Sequence, residues 1–527
     1  MAERAVQKLF SKSVAAKKLL QSQNRNCYTG VSQNVSAVRL IAEAVADRTD
    51  TAQSVVEPKT LDDLPGPRGY PVVGTAPEYF RKANRGQMHE VQRRFHQKYG
   101  KMFKEKLGPV TNVSIADPTL VEELIRKEGK YPFRPPYDSW ILYKKIRNQK
   151  AGIMSAVGPE WHKMRQAISK LTLRPKTVPE YIDIMNDVSE LFVNRVRYLR
   201  DNEGSVHNLP SELNKWALES TAGVILDKKL GCLENDVEPR IADFINAIGN
   251  MFLTGHQLMV FADVHKKLNT KPWRTHVKSW DTIYSVATQL FENKIAEIQN
   301  ALKNGELEKE NAVGFLQHMI SHTKLSMDEI HVNTTELLLA GVDTVSKALG
   351  FSFYLLAKNP NAQARLQHEV DTVCKGKPCT SENLQNMPFL RAVVKESLRM
   401  YPVIPINARV MQEDTVINGH LIPKNTCILL NGYTMGYNEM YFPEPENFKP
   451  ERWLRDSDNK QHPFAMLPFG FGNRMCAGRR IAEQELFLTL IKTAQSFWME
   501  STGEELKTTL RTVITPVDQI PVQFVDR

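Results

Sequence analysis

The sequence predicts a mainly α-helical fold with a smaller β-rich lobe (α+β), carried by one large domain. Three observations lead there. Apolar residues recur at helical spacing over most of the chain, the pattern of amphipathic helices. Strict alternation is confined to short runs such as 111–115 and 427–430, which makes the sheet component minor. A length of 527 residues ordinarily suggests about three domains, yet neither an internal repeat nor a second linker divides this chain. With 42% hydrophobic residues it has the material for one large core.

Residues 1–42 hold seven Lys or Arg and one acid, Glu3. On a helical wheel Val6, Leu9, Phe10 and Val14 share a face opposite Arg4, Lys8 and Lys12, until Lys17 interrupts the apolar side. Amphipathic, acid-poor and N-terminal together predict a mitochondrial presequence, cleaved after import; an ordinary basic tail is the alternative. Residues 43–63 read as a linker. Leu64-Pro65-Gly66-Pro67-Arg68-Gly69-Tyr70-Pro71 reads as the stiff, non-helical start of a single domain over 64–527.

A net charge of +10 admits nucleic acid, an anionic membrane surface or an acidic protein partner. No nucleic-acid fold signature and no aromatic–basic interleaving occurs, so no nucleic acid is expected and the other two remain. No run of 18 or more apolar residues occurs, so no membrane-spanning helix is expected. The six cysteines (27, 232, 374, 379, 427 and 476) are scattered and point to a reducing, intracellular compartment. Cys374 and Cys379 frame Lys-Gly-Lys-Pro, a spacing that suggests a disulfide or a metal half-site. No second Cys/His pair completes a zinc pattern, so two free thiols in a polar loop are expected.

Further along, Gly158-Pro159-Glu160 signals a helix start, and Trp161 and Arg165 follow at i and i+4 on one face. The stretch 251–274 is apolar first (Met251, Phe252, Leu253, then 258–261) and basic afterwards (Lys266, Lys267, Lys271, Arg274). It reads equally as a segment dipping into an anionic membrane or as core. Ser326 and Glu329 form a capping box, with Leu325 and Ile330 as a hydrophobic staple, opening a helix that runs toward Leu356. Asp343 and Thr344 inside that apolar span are costly without partners. Gly341 weakens the helix and predicts a local opening of its hydrogen-bond ladder. Glu396 and Arg399 share a helical face, and Arg452 follows in 448–453. Finally, Cys476 sits in the loop Phe469-Gly470-Phe471-Gly472-Asn473-Arg474-Met475-Cys476-Ala477-Gly478, directly before a helix-like run. Glycines let backbone N–H groups converge on one atom, and a helix N-terminus favours a thiolate. A thiolate so fixed can be the axial ligand of a haem iron.

That loop resembles the haem-ligand loop of cytochromes P-450, F-x-x-G-x-R-x-C-x-G, at Phe469, Gly472, Arg474, Cys476 and Gly478. Ala340, Gly341, Asp343 and Thr344 resemble the family's A-G-x-D-T-T element, with Val345 where a second Thr or Ser is common. Glu396 and Arg399 resemble its E-x-x-R element, and Trp161 with Arg165 its W-x-x-x-R element. The resemblance spans about residues 60–527.

The resemblance implies the cytochrome P-450 fold, with haem b (heme b) between the β-rich lobe and the oxygen-handling helix and Cys476 on the iron. It implies that Trp161, Arg165 and Arg409 bind haem propionates, with Phe469, Arg474 and Gly478 in the cofactor loop. Thr344 and Asp343 would supply the protons that split the O–O bond; Val345 leaves that relay intact and bears on water access. Glu396, Arg399 and Arg452 would form a structural network under the haem. Arg391, Lys395, Arg479 and Arg480 match basic positions of the mitochondrial branch, as does the run 273–281. They imply docking of an adrenodoxin-like ferredoxin fed by an NADPH-dependent reductase; a solvated helix face is the alternative.

The function so implied is haem-thiolate monooxygenation, the insertion of one oxygen atom of O2 into a hydrophobic small molecule. A sterol-like lipid is the favoured substrate, and foreign compounds are the alternative. A peroxide-rearranging isomerase of the same fold conflicts with Asp343, Thr344 and the basic docking face. A haem carrier without turnover is the reading from another class. The expected location is mitochondrial, peripheral on the matrix side of the inner membrane.

Overall fold

The computed structural model describes residues 57–108, 110–175, 177–305, 314–457 and 460–527. The expected presequence and most of the linker lie outside them. The helices that build the site are α1 (Asp138–Arg147), α2 (Gly158–Thr172), α3 (Ile182–Leu199), α4 (Leu209–Leu226), α5 (Pro239–Gln257) and α6 (Ala262–Lys267). They continue with α7 (Lys271–Lys303), α8 (Met327–Lys358), α9 (Pro360–Cys374), α10 (Ser381–Gln385), α11 (Pro388–Met400) and α12 (Arg479–Ser496).

Helix α8 starts where the capping box predicts. Ser326 N donates to Glu329 Oε2 at 2.7 Å, and Glu329 N donates back to Ser326 Oγ at 3.2 Å. The helix is buried along most of its length, with α4, α7, α11 and α12 packed around it. Its ladder does not open at Gly341: helix runs unbroken from Met327 to Lys358. The glycine serves packing instead. A Cβ there would meet Thr221 Oγ1 at 2.3 Å, so its absence lets α4 lie against α8.

The β component is a four-stranded sheet ordered β1-β2-β6-β3, from β1 (Met102–Leu107), β2 (Val110–Ile115), β3 (Ile406–Val410) and β6 (Cys427–Asn431). The pairs β4 (Thr415–Ile417) with β5 (His420–Ile422), β7 (Phe497–Ser501) with β10 (Val522–Asp526), and β8 (Thr508–Arg511) with β9 (Val513–Pro516) complete it. The two alternating runs read from the sequence are partners: β2 and β6 pair in parallel, Asn112 opposite Cys427 through Ile115 opposite Leu430.

The hydrophobic interior has two main parts, a large helical core and a smaller one in the β lobe. The cysteine loop bridges them. Leu467 and Phe471 belong to the β-lobe core, whereas Phe469, Ala477 and Ile481 pack on the helical one.

Residues 59–63, ahead of Leu64, are already tied to the β lobe. Lys59 N donates to Gly419 O and Leu421 N to Lys59 O, and Leu61–Asp63 form a 3-10 turn. Residues 251–274 divide between the two readings. Met251, Phe252 and Leu258 are buried in the core, while Phe261, Val264 and Leu268 are 45%, 48% and 71% exposed. Among the described residues no helix is long and apolar enough to cross a membrane.

Candidate active site

The loop before α12 turns twice through glycine. Gly470 and Gly472 adopt φ of 66° and 70°, left-handed values that favour glycine. Met475 N donates to Gly472 O at 3.1 Å and Cys476 N to Phe469 O at 2.8 Å, folding the loop back on itself. Gly478 caps α12, and its N–H donates to the Cys476 sulfur. Burial pushes the Cys476 thiol up; that N–H bond, Arg165 and Arg134 pull the other way. Of the five described cysteines, Cys476 alone is exposed, although protein surrounds its sulfur at longer range. Accessible sulfur held inside the molecule suits a group that covers it, and a metal cation would deprotonate the thiol outright.

Around this loop converge four guanidiniums. Arg474 donates to Pro132 O and Ala156 O and stacks 3.8 Å over the Trp161 ring. Burial and the neighbouring Arg134, Arg409 and Arg165 depress its pKa to about 9, with only Glu128 opposing. Arg409 pairs with Glu128 Oε1 at 2.5 Å and also reaches Ala408 O and Phe471 O. Arg165 is half-buried, with no hydrogen-bond partner among the described residues. Arg134 donates to Met154 O at 3.0 Å.

Sequence reasoning missed Arg134. It enters because Phe133 bridges Val410, the residue after Arg409, a contact between segments far apart in sequence. The four guanidiniums outnumber the Glu128 carboxylate beside them and leave an excess of positive charge that two further carboxylates would offset in large part. The residues therefore fit haem b, which brings two propionates and an iron for the sulfur.

On α8, Thr344 Oγ1 donates to Ala340 O at 2.7 Å. Asp343 does not face that hydroxyl: its Oδ1 accepts from Lys347 Nζ at 2.8 Å. Lys347 also donates to Asn214 Oδ1 on α4 at 3.0 Å. The cation was legible as a lysine four residues after the acid in an apolar helix. Val345 is buried.

The structure brings Glu396, Arg399 and Arg452 together. Arg399 donates through Nε and Nη2 to the two Glu396 oxygens at 2.9 and 2.8 Å, and Arg452 Nε donates to Oε1 at 2.9 Å. Lys449 N and Trp453 Nε1 add two more donors to the same carboxylate. Of the basic positions, Lys395 is exposed with its Nζ over the Trp453 ring, and Arg480 is exposed. Arg391 is half-exposed and bonded to Gln385 O, and Arg479 pairs with Glu483. A cavity of about 500 Å3 beside α1 is lined by Phe133, Lys144 and Ser155, among others, but not by Cys476, Asp343 or Thr344.

Residues 64–524 match the cytochrome P450 family. The chain is a cytochrome P450. This P450 is 36% identical over 501 residues to cytochrome P450 27C1 of Danio rerio, covering 93% of this chain and 92% of that one. It is 34% identical over 474 residues to the mitochondrial 1,25-dihydroxyvitamin D(3) 24-hydroxylase of Mus musculus, covering 89% and 90%. It is 35% identical over 491 residues to the mitochondrial sterol 26-hydroxylase of Rattus norvegicus, covering 90% and 91%. The P450 is thus of the mitochondrial type, a haem-thiolate monooxygenase acting on a hydrophobic substrate with electrons from a redox partner.

Proposed function

We propose that this P450 hydroxylates a sterol or secosteroid lipid inside the mitochondrion, taking electrons from an adrenodoxin-like ferredoxin and its NADPH-dependent reductase. The observation that carries the substrate class is that relatives matching along nine-tenths of their length are named for vitamin D and sterol hydroxylation. Bound haem supplies oxygen activation, and Cys476 is its ligand. Arg134, Arg165, Arg409 and Arg474, with Trp161 under Arg474, would hold the propionates. Glu396, Arg399 and Arg452 tie α11 to the segment 449–453. Thr344 would offer a hydroxyl on α8, and Asp343 would pass protons toward it once its carboxylate parts from Lys347.

Arg391, Lys395, Arg479 and Arg480 form the docking face for the acidic ferredoxin. A second patch makes the peripheral membrane contact. Val73 O accepts from Gly108 N, and Gly108 lies under Val260 and Phe261. These contacts join exposed Tyr70, Val72 and Val110 to Phe261, Val264 and Leu268, with Lys267, Lys271 and Arg274 alongside. Such an apolar patch with a basic rim suits an anionic bilayer surface.

Titrating the ferric enzyme with a panel of sterols and secosteroids tests the substrate class. A spin-state shift, followed by a hydroxylated product that requires ferredoxin, reductase, NADPH and O2, is expected. A panel without any shift, alongside turnover of an unrelated xenobiotic, would refute it. In the same assay K395E slows reduction by the ferredoxin and leaves the reduced carbon monoxide spectrum unchanged.

A further inference from the structure

Helix α9 ends on Cys374, and the chain then doubles back. Lys375 and Gly376 both take positive φ, 51° and 73°, and Lys377 N donates to Cys374 O at 3.0 Å. This turn brings Cys379 back toward Cys374, close enough for each thiol to affect the other's ionisation, while the Cys379 thiol donates to Thr380 O at 3.5 Å. Both are buried at 4% and 3% exposure, on the edge of the helical core. The residues between them, 375–378, are all exposed, so one polar loop separates the two sulfurs from solvent.

The pair is held from outside as well. Asn186 Nδ2 donates to Cys379 O at 2.9 Å, and Asn383 Nδ2 to Val373 O at 3.2 Å. Thr380 and Asn383 then form the capping box of α10. These are two thiols that the backbone has already brought together, not two cysteines that share a loop by chance of spacing.

We propose that Cys374 and Cys379 are a reversible dithiol–disulfide couple, a modification site that takes hydrogen peroxide as its oxidant. Cys374 is the attacking thiol. The Cys379 S–H is occupied by Thr380 O, and its neighbouring sulfur holds the Cys374 thiol below the usual range against burial and Asp371. The other described thiols are disfavoured: burial pushes Cys427 up to about 11 and Cys232 higher still. In the first step the Cys374 thiolate attacks a peroxide oxygen. The S–O bond forms, the O–O bond breaks, and the hydroxide released takes a proton and leaves as water. In the second step the Cys379 sulfur attacks Cys374. The S–S bond forms, the S–O bond breaks, and the Cys379 proton leaves with the oxygen as a second water. Two thiols lose two electrons and two protons, and one peroxide becomes two waters. An external dithiol reverses the reaction by exchange.

The junction gives the couple a position of consequence. Glu369, on α9, accepts from Phe389 N and Leu390 N at the start of α11. A clip between Cys374 and Cys379 therefore stiffens the connection that leads from α9 through α10 to the helix bearing Arg391 and Lys395.

The test treats the full-chain holoenzyme with a small excess of hydrogen peroxide, at a dose that leaves its reduced carbon monoxide spectrum intact. Denaturing alkylation and mass spectrometry follow. The peptide spanning 374–379 is expected to be lighter by two hydrogens and unalkylated, and to regain both thiols after dithiothreitol. Oxidation there should run on the order of tenfold faster than at Cys232 or Cys427. C379S should accumulate a dimedone-reactive sulfenic acid on Cys374, and C374S should leave Cys379 unmodified. Two alkylatable thiols in that peptide up to the dose that bleaches the haem would overturn the proposal. So would equal rates at all four cysteines, or a C379S protein without an adduct on Cys374.

Discussion

Lys347 Nζ donates to Asp343 Oδ1 at 2.8 Å, one turn further along α8, and both side chains are less than a tenth exposed. Removing one member of such a pair strands a buried charge at a cost of ~3–5 kcal/mol, whereas removing both costs far less. K347M should therefore lower the melting temperature of the holoprotein, and D343N/K347M should recover most of the loss. Additive losses in the double variant would mean that the two groups do not act as a pair.

How much of this was legible depends on how local each signal is. The cysteine loop was readable because its glycines, its cysteine and the following helix lie within a dozen residues. The Glu396–Arg399 pair was readable for the same reason, at i and i+3. Arg134 was not, since only the bridge between Phe133 and Val410 carries it to Arg409. Gly341 was read as a weak point of its helix because propensity is all that one strand of sequence reveals. Its meaning lies with Thr221 on another helix. The stretch 251–274 stayed ambiguous because buried and exposed apolar residues look alike until α5 has ended and α6 has turned away.

The Glu396 carboxylate accepts from two guanidiniums, an indole and a backbone N–H, with no exposed surface of its own. E396Q keeps the shape and leaves Arg399 and Arg452 without their anion, at a cost on the order of 3–5 kcal/mol. The expected outcome is a protein with retained helical circular dichroism that takes up little haem, read as loss of the thiolate-type carbon monoxide spectrum. Full haem occupancy in E396Q would contradict a supporting role for the network.

G341A sets two effects against each other. Alanine is better than glycine in a helix interior by about 1 kcal/mol. Its methyl group, however, would meet Thr221 at 2.3 Å from Oγ1, 2.8 Å from Cγ2 and 3.1 Å from Cβ. Overpacking of this kind costs about 1–3 kcal/mol, so the variant should be net destabilised. T221A in the same chain removes two of the three clashing atoms, and G341A/T221A should melt above G341A alone. A stabilised G341A single variant would show that α4 yields easily.

Glu485 on α12 is 3% exposed, and its Oε1 accepts from Ser220 Oγ at 2.7 Å. Burial raises its pKa from 4.5 to about 8, against the smaller opposing pull of that hydroxyl. The folded protein then holds a proton that the unfolded chain has lost over this interval. Stability from this group is complete below pH 4.5 and falls as pH rises to about 8, by a few kcal/mol at most. E485Q keeps the hydrogen bond to Ser220 and cannot ionise. It should melt at the wild-type temperature near pH 5 and above it at pH 8–9. A difference between the two proteins that does not vary with pH would show that Glu485 titrates at an ordinary value.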